Sequence, residues 1–135
     1  MNVLVVDVGG THVKILATGQ NESRKFPSRP TLTAKHMVVD VKKIAGDWKY
    51  DAVSIGYPGP VIRNRPRAEP YNLGHGWMRC DFETAFNRPV MVMKDAAMQA
   101  LGSYKGGKTL SLALGTVISF IPEWVWKLYW LDRSV

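Results

Sequence analysis

Blocks of apolar residues alternate with polar punctuation along this chain, and the blocks predict an α/β layer arrangement. The first block, Val3 to Val6, is apolar on both faces and ends at the carboxylate of Asp7. Such a run suits a strand buried inside a sheet. After Val8, Gly9 and Gly10, the residues THVKILAT carry β-branched side chains in partial alternation and read as a second strand. A Rossmann or Walker loop would hand over to a helix at this point. The opening unit is therefore strand, Gly-Gly turn, strand. Gln20 to Pro30 is polar and carries two prolines, which predicts a short edge strand around Arg24 to Phe26 followed by a loop.

Thr33 is placed to cap a helix running to about Gly46. Met37, Val38, Val41, Ile44, Ala45 and Trp48 fall on one face of it, while Lys35, Lys42 and Lys43 lie largely off that face. His36 reads as a surface residue. Tyr50 to Tyr57 is the next strand and runs into Pro58-Gly59-Pro60. Val61 and Ile62 can return as a short strand. Arg63 to Pro70, basic and proline-bearing, is expected to be a loop, and Asn72 to Trp77 a compact turn. Asp81 to Phe86 predicts a short helix, Pro89 to Lys94 a strand, Ala96 to Ser103 a helix, and Thr109 to Thr116 a further strand. Met91, Met93 and Met98 fall at core spacing.

Composition narrows the class. An apolar fraction of 46% over 135 residues fits one globular domain with a real core. The single cysteine, Cys80, rules out an internal disulfide and reads as a half-buried structural thiol. The opening residues form a strand pattern, not a signal-type segment, and no apolar run approaches bilayer length. A reducing, cytoplasmic location is expected, without a membrane. The net charge of +7 favours an anionic partner. The basic residues are scattered apart from Arg24-Lys25 and the cluster of Arg63, Arg65 and Arg67. No helix carries a basic stripe with interleaved aromatics, so specific nucleic-acid binding is not expected.

Chemistry concentrates between Asp7 and Lys14. Gly9 and Gly10 can take positive φ and, lacking Cβ, let a ligand reach the backbone amides. With the Thr11 hydroxyl, the Lys14 ammonium and the Asp7 carboxylate to place Mg²⁺, these are the parts that hold a phosphate. An ordinary hairpin with a Gly-Gly turn is the alternative. Pro58-Gly59-Pro60 presents backbone at a strand end, where ligands commonly bind. Asn72-Leu73-Gly74-His75-Gly76-Trp77 offers amides, an imidazole and a flat ring to a sugar, or is simply a Gly-rich turn over a buried tryptophan. Asp95, between a strand and a helix, is either a helix cap or a catalytic base.

Five motifs in order resemble the N-terminal lobe of a ROK-family sugar kinase, in particular the polyphosphate glucokinase-like branch. They are Asp7-Val8-Gly9-Gly10-Thr11 with Lys14, Gly56-Tyr57-Pro58-Gly59-Pro60, Asn72 to Trp77 with Asp81-Phe82, Asp95 to Gly102, and Leu114-Gly115-Thr116. The resemblance covers residues 2–116. It implies an actin-like, ribonuclease H-like α/β lobe with a mixed sheet of about five strands flanked by helices. It also implies phosphoryl transfer from ATP or polyphosphate, with Mg²⁺, to the 6-hydroxyl of glucose or a similar hexose. In that scheme Asp7, Gly9, Gly10, Thr11, Lys14, Gly115 and Thr116 contact the phosphates, and Asp7 also serves the metal. Gly59, Asn72, His75 and Asp95 line the sugar, and Asp95 is the general base.

Two departures stand out. Lys94 occupies the place where the family has a sugar-contacting asparagine, which removes an amide and sets a cation beside Asp95. Past Thr116 the glycines of the second phosphate loop give way to the aromatic stretch VISFIPEWVWKLYWLDRSV. The resemblance therefore implies a lobe over 1–116, a divergent tail over 117–135, and a truncated kinase impaired on its own. The alternative is a non-catalytic anion- or sugar-binding remnant. The tail is expected to cover an apolar face or to mediate homo-oligomerisation.

Overall fold

The structure, a computed structural model, describes residues 2–94. In chain order it contains β1 (Val3–Val8), β2 (His12–Ala17), β3 (Arg24–Pro27), α1 (Ala34–Ala45), β4 (Ala52–Tyr57), β5 (Val61–Ile62), β6 (Arg65–Pro66), α2 (Phe82–Phe86) and β7 (Val90–Lys94). The Ala96–Ser103 helix, the Thr109–Thr116 strand, the 117–135 tail and the residues Asp95, Gly115 and Thr116 lie outside the described residues.

One five-stranded sheet runs in the order β3-β2-β1-β4-β7. The β1–β2 and β2–β3 pairs are antiparallel, and the β1–β4 and β4–β7 pairs are parallel. This mixed arrangement follows from the connections. Short connections, three residues between β1 and β2 and six between β2 and β3, make the antiparallel half, whereas reaching β4 beside β1 takes a crossover long enough for α1.

Strand alternation sorts β1 into two faces. Leu4, Val6 and Val8 join Val13, Ile15, Val53, Ile55, Val90 and Val92 in the core packed with α1 and α2. Val3, Val5 and Asp7 point the other way, with Leu16 opposite Val5 on β2 and Ser54 opposite it on β4. Every β1 side chain is buried, which is why its sequence lacks alternation.

α1 forms where its periodicity predicts. The Thr33 side chain accepts from the His36 N–H at 3.2 Å, and Gly46, at φ 56°, closes the helix with its N–H on the Lys42 carbonyl. Met37, Val38, Val41 and Ala45 are buried on its inner face. The Arg24 guanidinium caps the far end, donating to the Ile44 and Ala45 carbonyls at 2.8 and 3.2 Å while its centre lies 4.1 Å over the Trp48 ring. Part of the basic excess is thus structural.

The segment expected as loop from Arg63 to Pro70 is instead partly a strand. β5 and β6 form a hairpin with Arg63 and Asn64, at φ 52° and 66°, as its turn residues. Asn64 tolerates the left-handed region because its short amide can bond locally. That amide then does the work of a ladder rung on β7, accepting from the Val92 N–H at 2.5 Å and donating to the Val90 carbonyl at 2.9 Å. A basic, proline-bearing composition does not reveal a turn whose conformation is held by a strand 26 residues away.

Candidate functional site

The β1–β2 turn is built around a short backbone contact. The Gly9 N–H donates to the His12 carbonyl at 3.0 Å, continuing the ladder one pair past Val8–Val13 and leaving Gly10 and Thr11 as the tip. A Cβ on Gly9 would sit 2.8 Å from that same carbonyl oxygen, whereas one on Gly10 would meet no heavy atom within 4 Å. Neither glycine uses the positive φ that its composition allows; among the described glycines that conformation belongs to Gly19, Gly46 and Gly76. Close approach, not backbone handedness, is what requires glycine at position 9. The Gly9 amide is spent on the turn, while the exposed Gly10 and Thr11 amides have no protein acceptor among the described residues.

The charged groups stand two pairs back from Gly9. Asp7 on β1 lies directly opposite Lys14 on β2 and alongside Gly56 on β4. Lys14 in turn lies opposite Lys25 on β3. Directly opposed residues of an antiparallel pair share a face with Cβ atoms ~4.5–5.5 Å apart. Asp7 is 5% exposed and Lys14 half-buried. The row Lys25, Lys14, Asp7, Gly56 thus sets two cations and a carboxylate beside a position with no side chain. Among the described residues no three His, Cys, Asp or Glu side chains gather as a metal cage. Mg²⁺ that arrives with a polyphosphate needs only one or two protein carboxylates, and Asp7 at this strand end is of the right kind.

Ser28 is a member of the turn that the sequence did not reveal. Its N–H donates to the Thr11 carbonyl at 2.8 Å and its hydroxyl to the Gly9 carbonyl at 2.6 Å. It sits 19 residues beyond Gly9 in an otherwise polar loop and becomes adjacent only because β3 pairs with β2.

Two of the segments expected at a sugar site, the Gly59 turn and the Asn72–Trp77 loop, are tied to the fold by packing and backbone bonds. A Cβ on Gly59 would fall 2.9 Å from the Tyr57 ring and 3.8 Å from the Ala68 carbonyl oxygen. That same oxygen accepts the Tyr57 hydroxyl at 2.5 Å. Burial pushes the Tyr57 phenol well above its ordinary value, and the nearby Glu69 carboxylate adds to it. The Asn72–Trp77 loop docks on the start of α1. The Gly74 N–H donates to the Leu32 carbonyl at 2.9 Å, and the His75 carbonyl accepts from Ala34 at 3.3 Å. A Cβ on Gly74 would press to 2.8 Å against backbone atoms of Thr31 and Leu32. Trp77 is fully buried, with ring centroids 5.9 Å from Tyr57 and 6.5 Å from Phe82. Asn72 and His75 are exposed.

Glu69, another residue that sequence reasoning missed, ties this loop. Its carboxylate accepts from the successive amides of Gly76 at 2.7 Å, Trp77 at 3.0 and 3.1 Å, and Met78 at 3.2 Å. Cys80 is half-buried, and burial pushes its thiol up, away from reactivity. A cleft of about 150 Å³ between the β5–β6 hairpin and α2 is lined by Arg63, Arg65, Arg79 and Asp81, and by none of the residues expected to bind phosphate or sugar. Among the described residues no helix is long and apolar enough to cross a membrane.

Comparison with known proteins bears on the fold. No protein-family model matches the chain, and no curated protein matches it by sequence. Solved structures do match. A ROK family glucokinase from Streptomyces griseus, in complex with glucose and AMPPNP, aligns with 80% of this chain at 24% identity and a TM-score of 0.64. A ROK hexokinase from Thermus thermophilus aligns with 77% at 24% identity and a TM-score of 0.60. A glucokinase from an Antarctic psychrotroph aligns with 76% at 19% identity and a TM-score of 0.62. The chain spans 38% of the length of the first two and 35% of the third. By fold, then, this chain is similar to one lobe of these ROK sugar kinases, an α/β layer with a mixed five-stranded sheet.

Proposed function

We propose that the chain is the N-terminal lobe of a ROK-type sugar kinase, a fold that acts with ATP or polyphosphate on the 6-hydroxyl of glucose or a similar hexose. The observation that carries this reading is the pairing of Asp7 with Lys14 two pairs back from the Gly9–His12 pair, beyond which Gly10 is open to ligand. The Gly10 and Thr11 amides and the Thr11 hydroxyl donate to phosphate oxygens, and Lys14 balances their charge. Mg²⁺ held through Asp7 would supply charge neutralisation on the donor. Asp95, one residue past the end of β7, takes the proton from the sugar hydroxyl, and Gly115 and Thr116 contribute a second phosphate contact. Gly59, Asn72 and His75 border the sugar, with Gly59 acting through the backbone it exposes. Catalysis on such a site rests on positioning and charge stabilisation.

Lys94, exposed at the end of β7 and next to Asp95, favours a second reading. A cation there lowers the basicity of a neighbouring carboxylate, which suits a module that holds an anion or sugar without turnover. One experiment separates the two. Glucose 6-phosphate formation is measured with ATP and with polyphosphate, beside Asp95→Ala and Lys14→Ala. Turnover lost in both variants supports the kinase. Donor binding without turnover, weakened only by Lys14→Ala, supports the binding module. Neither binding nor turnover overturns both.

A further inference from the structure

We propose that Ser28 is a positioning residue for the phosphoryl donor, because it fixes the direction in which the Gly10 amide points. The inference rests on the reading of the Gly9–Thr11 turn as the donor site. A trans peptide is planar, so the carbonyl of one residue and the N–H of the next point in opposite directions. The Ser28 hydroxyl holds the Gly9 carbonyl at 2.6 Å, and the Ser28 amide holds the Thr11 carbonyl at 2.8 Å. Drawing the Gly9 carbonyl toward β3 turns the Gly10 N–H to the opposite side. Around Gly10, the space a Cβ would occupy is open.

The tip has few other restraints. Gly10 carries no side chain that could pack, and glycine retains more backbone freedom than any other residue. The ladder bond from Gly9 to His12 holds the base of the turn but not the Gly9–Gly10 peptide plane. A flip of that plane would replace the outward N–H by a carbonyl oxygen, a repulsive group for phosphate. Ser28 opposes the flip directly, since it requires the Gly9 carbonyl where it is. A donor amide that is already aimed costs less to order on binding.

The test uses the full chain, with Ser28→Ala and Ser28→Thr, and inorganic tripolyphosphate as the probe. Two readouts are taken: the probe's Kd, and the order parameter of the Gly10 amide by ¹⁵N relaxation without ligand. Loss of the hydroxyl bond is expected to raise Kd about threefold to tenfold, the worth of one hydrogen bond. It should also lower the Gly10 order parameter, and threonine should restore both. An unchanged Gly10 order parameter in Ser28→Ala overturns the proposal. So does an unchanged Kd in a protein whose Lys14→Ala variant binds weakly, and in that case the donor-site reading survives. If the parent chain binds no tripolyphosphate although Ser28→Ala loosens Gly10, the donor-site reading fails and the role assigned to Ser28 fails with it, leaving only a turn restraint.

Discussion

Asp7 and Lys14 face each other across the first hairpin, two residue pairs short of Gly9 and His12. Strand register alone makes them neighbours on one face, and that face is the one turned away from α1. Their proximity to an open glycine tip gives the turn a charge pattern that an ordinary hairpin has no need of.

Lys14→Ala should raise the Kd for tripolyphosphate by about tenfold or more, since hydrogen bonds to charged groups are worth ~1.5–3 kcal/mol. Isothermal titration calorimetry at two salt concentrations checks this. The parent's affinity should fall with added salt, and the variant's should fall less. Equal salt dependence in both chains would show that Lys14 does not meet the anion.

The two glycines of the turn should respond differently to alanine. Gly9→Ala forces a methyl group against the His12 carbonyl at 2.8 Å, and is expected to destabilise the fold by about 1–3 kcal/mol, as overpacking does. Gly10→Ala meets open space and should leave the urea midpoint nearly unchanged. A reversed order would contradict the geometry of the turn.

Loss of Trp77 should unfold the loop that borders α1. Trp77→Ala removes a fully buried ring packed on Tyr57 and Phe82, at a cost of about 3–5 kcal/mol. Glu69→Ala leaves the Gly76, Trp77 and Met78 amides without their acceptor, at a cost of about 1–3 kcal/mol. The double variant should cost less than the two together, because both hold the same loop. Chemical denaturation of the four chains gives the answer.

Stability should fall at both ends of the pH scale for identifiable reasons. Bonds from the Thr84 hydroxyl and amide hold the Asp81 carboxyl below the usual carboxylate range. Its contribution is present above pH ~4, the unfolded value, and is lost as the pH falls through the lower folded value. Tyr57 behaves oppositely. Burial raises its phenol, so its contribution is full below pH ~10 and is lost as the pH rises through the folded value. Urea unfolding across pH should show a flatter acid limb in Asp81→Asn and a flatter alkaline limb in Tyr57→Phe.

Local physics made much of this lobe legible from the chain. The buried run Val3–Val8, the second strand beyond the glycines and the Thr33-to-Gly46 helix all rest on interactions within a few residues, so periodicity and capping chemistry report them directly. The groups proposed to hold phosphate stand out for the same reason, as they lie between Asp7 and Lys14. What hides from sequence are side-chain partnerships that depend on how the backbone folds back on itself. Ser28 reaches the glycine turn through β3, Asn64 serves as a rung on β7, and Glu69 gathers the amides of Gly76 to Met78. Gly59 shows the converse: its place in a Pro-Gly-Pro turn suggested a ligand, and the Tyr57 ring supplies a packing reason for glycine. The sequence by itself determined most of the strands and helices, from Val3–Val8 to the Thr33-capped helix, and the run of glycine, hydroxyl and charged groups between Asp7 and Lys14. Only the tertiary structure decided which carbonyls are held, which amide stays open and which glycines must be bare, because those depend on distances between atoms that chain order does not encode.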